Sequence, residues 1–219
     1  MILKDTQLII LNYKRMDNVL KIAYKFQGFI PILIVNNNPK ITIEIPKILI
    51  HNNNKNNWCI ERWYWAQKSK FKYSIILDDD ILPTKHCLFK LRKMIEKYPT
   101  SIISIYGKNN LNNSKKYKDL TDVWCVDRNI DLAIGSCLIV DNNNLRKIFN
   151  DYIKPWGYIK RGDDLLISLS FSHFFKSIHK TINTEVTLLD EMNVGLNKSS
   201  EHYKLRWKVV EDFKKLHSI

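Results

Sequence analysis

Three consecutive carboxylates, Asp78-Asp79-Asp80, follow the run Tyr73-Ser74-Ile75-Ile76-Leu77 and precede Ile81-Leu82-Pro83-Thr84. Like charges this close raise one another's pKa unless a cation compensates them. A divalent metal is the economical compensation. Hard ions such as Mn2+ or Mg2+ take one or two carboxylates together with phosphate oxygens and water, so a strand end of this kind suits a metal–diphosphate. An acidic turn or helix cap is the bland alternative. A second pair, Asp163-Asp164, stands just before the apolar stretch Leu165 to Phe175. It reads either as an ordinary N-cap or as carboxylates that a helix dipole keeps ionised for base or charge-stabilising work.

Elements able to position these groups are legible upstream. Leu8-Ile9-Ile10-Leu11 is a strand-like run ending in Asn12-Tyr13-Lys14-Arg15, after which Val19, Leu20, Ile22, Ala23 and Phe26 recur at helical spacing. Strand-like runs return at Ile32-Leu33-Ile34-Val35, closing on Asn36-Asn37-Asn38, and at Lys47-Ile48-Leu49-Ile50. Trp58 to Lys68 reads as a helix, Tyr73 to Leu77 as a strand, and Thr84 as the N-cap of a helix reaching about Tyr98, before a strand at Ile102-Ile103-Ser104-Ile105. Alternating β and α with continuous apolar strands predicts an open, mostly parallel α/β sheet flanked by helices, which binds ligands at its strand carboxyl ends. The second half is less regular. It holds a polar stretch from Lys108 to Asp122, strands around Trp124 and Ala133-Ile134, helices over Leu145 to Tyr152 and Leu165 to Phe175, and a basic amphipathic segment from His202 to Leu216.

The chain has 219 residues, 45% of them apolar, enough for one domain with a substantial core. The reading is a single domain over 1–219. Its 35 Lys and Arg against 22 Asp and Glu give +13, which favours anionic partners. No apolar run reaches the ~18–20 residues of a membrane span and no signal peptide is visible, so the expected location is cytoplasmic. Cys59, Cys87, Cys125 and Cys137 lack metal-ligand spacing and read as thiols. The asparagine runs read as base-composition bias of an AT-rich microbial or viral genome rather than as physics.

Placed in order, the pieces resemble the exostosin-like α-N-acetylhexosaminyltransferases of the GT-A class. Asn57-Trp58-Cys59-Ile60-Glu61-Arg62, whose Arg62 lies 16 positions ahead of Asp78, is similar to that family's Asn-x4-Arg before Asp-Asp-Asp. Leu11 to Arg15 resembles its Thr-Tyr-Asn-Arg, and Val35-Asn36-Asn37-Asn38 its Val-Trp-Asn-Asn. Ile134 to Leu138 resembles its Gly-Ala-Ala/Ser segment, Gly162-Asp163-Asp164-Leu165 its Cys-Glu-Asp-Ile, and His202 to Arg206 its His-Phe-x-x-Arg. The stretch from Lys108 to Val126 matches nothing in it.

The resemblance implies a GT-A, Rossmann-like sheet with a nucleotide-sugar half over about 1–107. An acceptor half with a C-terminal helix follows over about 108–219. It implies a metal-dependent transfer of a hexose or N-acetylhexosamine from a UDP-sugar to a glycan, glycolipid or glycoprotein acceptor, with retention. Asp80 would ligate Mn2+ or Mg2+, with His202 completing its shell. Asn12, Tyr13, Arg15, Asn37, Asn57, Arg62, Asp78 and Asp79 would contact the nucleotide sugar, Lys14 assisting. Asp164 would be the catalytic carboxylate, with Asp163 on the acceptor hydroxyl and Arg206 clamping the donor phosphate. An inverting enzyme would use Asp163 or Asp164 as general base instead. Trp124 and Trp156 are acceptor-side candidates, whereas Trp58, Trp63 and Trp65 read as core. The positive balance suits peripheral contact with anionic membrane. Two rivals share the residues: a metal-dependent phosphohydrolase or nuclease, and a basic module that binds nucleic acid without catalysis. No specific nucleic-acid partner is expected on the main reading.

Overall fold

The computed structural model describes residues 2–189 and 200–218. Among them, eight strands form one sheet in the order β3-β2-β1-β4-β11-β6-β12-β9. The parallel part is β1 (Thr6–Asn12), β2 (Ile32–Asn36), β3 (Leu49–Asn52) and β4 (Tyr73–Leu77). Next to β4 runs β11 (Cys137–Asp141), antiparallel, followed by β6 (Ile103–Ser104), β12 (His179–Thr181) and β9 (Arg128–Ile130).

Strand residues alternate between two cores, as their period of two requires. Leu8, Ile10, Ile34, Ile75 and Leu77 meet α1 (Met16–Phe26) and α3 (Lys85–Lys97) on one face. Ile9, Leu33, Val35, Ile76 and Leu138 face the other, where α2 (Glu61–Lys68), α4 (Asn142–Ile148), α5 (Asp163–Phe175) and α6 (Ser200–Leu216) contribute Trp63, Leu145, Leu165 and Phe213. Burial on both faces explains why the central strands read as unbroken apolar runs.

Several expected boundaries hold. Thr84 caps α3, its hydroxyl oxygen accepting from Cys87 N–H at 3.0 Å. Others move for local reasons. The helix expected from Trp58 begins at Glu61, because Trp58 adopts φ +62° and its N–H is taken by the Asn56 side chain at 2.9 Å. The strand expected at 47–50 becomes Leu49–Asn52, since Lys47 turns the chain at φ +64°. The Leu145 helix starts at Asn142, where the Asp141 carboxylate accepts from the N–H groups of Asn143 and Asn144. Ile134 lies just outside β10 (Leu132–Ala133), which pairs with β7 (Tyr106–Asn109) and through it β8 (Thr121–Trp124) in a smaller sheet. A third, two-stranded sheet joins β5 (Ile81–Pro83) to β13 (Val186–Leu188).

The asparagine runs also need correction. Asn12, Asn36 and Asn52 stand in register across β1, β2 and β3. Their amides hydrogen-bond in series, Asn12 to Asn36 at 2.8 Å and Asn36 to Asn52 at 2.9 Å. They form a ladder, buried at Asn12 and Asn36 and reaching the surface at Asn52, that ties three strand ends together, whatever the base composition of the gene.

Candidate active site

Winding from β1 to β2 to β3 runs one way along the sheet, and β4 then returns to the other side of β1. Such a reversal leaves a crevice beyond the carboxyl ends of β1 and β4. Tyr13, Lys14 and Arg15 leave β1 there, and Asp78, Asp79 and Asp80 leave β4. Both groups line one cleft of about 510 Å3. The Arg15 guanidinium spans Asp79 at 2.5 Å and Asp80 at 3.1 Å.

Three helices close the far wall. Arg62, in the first turn of α2, reaches Asp78 at 2.5 Å, Asp163 at 2.9 Å and the Gly135 carbonyl at 3.2 Å. The Trp63 indole donates to the same Asp163 oxygen at 2.8 Å. Asp164 accepts from Arg206 on α6 at 2.9 Å, from Gly135 N–H at 3.0 Å and from Leu165 N–H at 2.9 Å. Gly135 is required by this packing, because a Cβ there would collide with the Arg62 guanidinium.

These contacts sort the carboxylates into two kinds. Burial pushes Asp78 up to about 7; Arg62 opposes the rise, and Asp80 and Asp79 add to it. Its side chain keeps 36% of its surface open to the cleft, so water moderates the effect. Burial likewise takes Asp79 to about 6 against the pull of Arg15. Burial would also raise Asp164, but Arg206, Arg62 and the Gly135 N–H outweigh it and hold that carboxyl below its usual value. Asp164 is therefore a fixed anion, while the strand-end cluster is short of positive charge.

A divalent ion fits that shortage in one particular way. Among the described residues no three His, Cys, Asp or Glu side chains converge to cage an ion, so protein groups alone would fill only part of a coordination shell. A hard cation carrying diphosphate oxygens and water needs no more than that. His202 lines the cleft with Nδ1 buried and lacking a hydrogen-bond partner. Burial and then Arg206 lower its pKa to about 4, leaving a neutral imidazole able to ligate.

The cleft gathers most of the predicted residues: Tyr13, Arg15, Asn37, Arg62, all three strand-end aspartates, Asp163, Asp164, His202 and Arg206 line it. Asn12 and Asn57 do not line it. Both are buried, and Asn12 serves the amide ladder. Trp58, expected in the core, lines the cleft beneath Lys160 and Arg161, whereas Trp63 is core as expected. Trp124 lines the cleft; Trp156 instead stacks on Phe213. Tyr106, Lys108, Tyr117 and Asp122 also face it, and sequence reading missed them. Their signal was the alternation Tyr106-x-Lys108 and Asp122-x-Trp124, two strands presenting one face each.

No family model and no curated protein matches this chain by sequence. Among solved structures it is similar to GalNAc-T7 crystallised with UDP, GalNAc and Mn2+, at a TM-score of 0.64 and 13% identity. The match covers 95% of this chain and 49% of that one, so the chain spans about half the length of its structural neighbour. The fold is GT-A. In this GT-A sheet, the crevice beyond β1 and β4 is the site described above. Among the described residues no helix is long and apolar enough to cross a membrane.

Proposed function

We propose that this chain is a metal-dependent glycosyltransferase akin to the exostosin-like enzymes, moving a hexose or N-acetylhexosamine from a UDP-sugar to a glycan hydroxyl with retention. One observation carries the reading: a charge-deficient Asp78-Asp79-Asp80 cluster at the reversal point of a GT-A sheet, flanked by Arg15, Arg62 and Arg206. Asp80 and His202 would hold Mn2+ or Mg2+. The ion would supply Lewis-acid stabilisation of the leaving diphosphate. Tyr13 and Asn37 would contact the nucleoside, Asp78 and Asp79 the ribose and donor sugar. Arg15, Lys14 and Arg206 would offset negative charge that grows as the glycosidic bond breaks.

The state of Asp164 supports retention. A general base works best with a pKa near ambient pH, and Arg206 with the Gly135 N–H holds Asp164 well below that range. As a fixed anion it suits stabilisation of positive charge at the anomeric carbon. The acceptor proton then passes to the departing diphosphate oxygen on the same face, as the bond from that carbon to the acceptor oxygen forms. Asp163, occupied by Arg62 and Trp63, orients rather than abstracts.

A panel of nucleotide sugars, incubated with Mn2+ and wild-type or Asp80→Asn protein, tests this. Metal-dependent UDP release by the wild type, reduced at least about a hundredfold in the variant, supports the reading. Degradation of nucleic acid with indifference to nucleotide sugars would support a nuclease instead. The anomer of the product, read by NMR, decides retention. Sedimentation with anionic and neutral vesicles tests the membrane contact suggested by +13.

A further inference from the structure

The wall of the cleft that sequence resemblance left unassigned is the β7–β8 hairpin. Its register sets Tyr106 opposite Trp124 and Lys108 opposite Asp122, two residues apart on each strand and so on one face. Each pair is locked. The Tyr106 and Trp124 rings meet edge to face at 5.2 Å, the Tyr106 hydroxyl donates to the Asp122 carboxylate, and Lys108 Nζ bonds the same oxygen at 2.6 Å. Lys108 is buried while the Asp122 side chain is 62% exposed, and Trp124 keeps 40% of its surface open.

We propose that Trp124 and Asp122 form a saccharide subsite for the acceptor, and that they select a neutral pyranose. This rests on the transferase reading above. A half-exposed indole offers an apolar platform for the C–H face of a sugar ring, and a carboxylate at its edge accepts hydroxyl protons. The two paired strands carry one cation between them, Lys108, and Asp122 cancels it, so the strand face beside Trp124 offers no unpaired cation with which to hold a phosphate or an acidic peptide. Strand order separates the platform from the nucleoside end. β1 and β2 lie to one side of β4, and β11 and β6, which leads into the hairpin, lie to the other. The strand-end aspartates stand between them, where donor and acceptor sugars have to meet.

Saturation-transfer NMR on the full chain with UDP and Mg2+ tests this, using millimolar methyl pyranosides of glucose, galactose, mannose, N-acetylglucosamine, N-acetylgalactosamine and glucuronate. At least one neutral glycoside is expected to bind. Its Kd should rise about tenfold in Trp124→Ala and about threefold or less in Trp124→Phe, with UDP affinity unchanged as the control for folding. Normal UDP binding without any glycoside signal, binding of glucuronate alone, or a Trp124→Ala protein that binds glycosides like wild type would overturn the subsite and leave the donor reading intact. Wild-type protein that fails to bind UDP would bring down both.

Discussion

Arg62 is the residue on which the site turns, since one buried guanidinium holds Asp78, Asp163 and the Gly135 carbonyl together. Removing one partner of a buried ion pair leaves uncompensated charge. Arg62→Ala should therefore cost about 3–5 kcal/mol in chemical denaturation, and Arg62→Lys should not restore it, because an ammonium cannot span three acceptors held by a planar fork. Gly135→Ala should cost about 1–3 kcal/mol by forcing that fork aside. The acid cluster gives a pH signature. Asp78 and Asp79 titrate near 7 and 6 in the folded protein against an ordinary 3.8. The folded metal-free state thus binds more protons than the unfolded one, and its stability falls as pH rises from about 4 to 7. An incoming cation displaces those protons, so Mn2+ affinity should climb across the same window and level off above pH 7. Titrations at pH 5, 6, 7 and 8 check this; a flat profile would argue that no cation sits beside Asp78 and Asp79.

At the scale of elements, what was legible followed periodicity and caps. β1 and β4, the Thr84 cap of α3 and the start of α5 near Asp163 came from apolar runs bounded by polar residues, and the cleft-lining residues at their ends came with them. β11 was not legible as a strand. Cys137-Leu138-Ile139-Val140 is too short and uniformly apolar to declare its period, and its antiparallel place beside β4 is a long-range choice. A strand around Trp124 was expected and is β8, but β7 and its pairing with β8 were hidden because the alternating residues are polar and aromatic, facing a cleft rather than a core. Asn36 shows the opposite error, a composition argument overlooking structure. It joins Asn12, Asn52 and the Ile41 carbonyl while wholly buried. Asn36→Ala should lose about 1–3 kcal/mol and weaken UDP binding through its neighbour Asn37. Thr84→Ala should cost about 1 kcal/mol and leave UDP binding alone. Paired denaturation and UDP titrations separate the two.

Across the molecule, the +13 balance and the cleft chemistry are distinct matters. Arg15, Arg62, Lys108 and Arg206 each pair with a cleft carboxylate without offsetting the strand-end cluster, whereas Lys14, Lys160 and Arg161 stand on the rim, the two lysines exposed. That rim suits a diphosphate arriving with its own metal. Surplus charge elsewhere should produce only weak, steeply salt-dependent nucleic-acid binding that Asp80→Asn leaves unchanged. The most direct test is calorimetric titration of UDP into wild-type and Asp80→Asn protein, with Mn2+ and with EDTA. Wild-type protein should bind UDP with Mn2+, and affinity should fall at least about tenfold both on chelation and in Asp80→Asn. Equal UDP affinity in all four conditions, or none in any, would contradict a metal–diphosphate site at the end of β4.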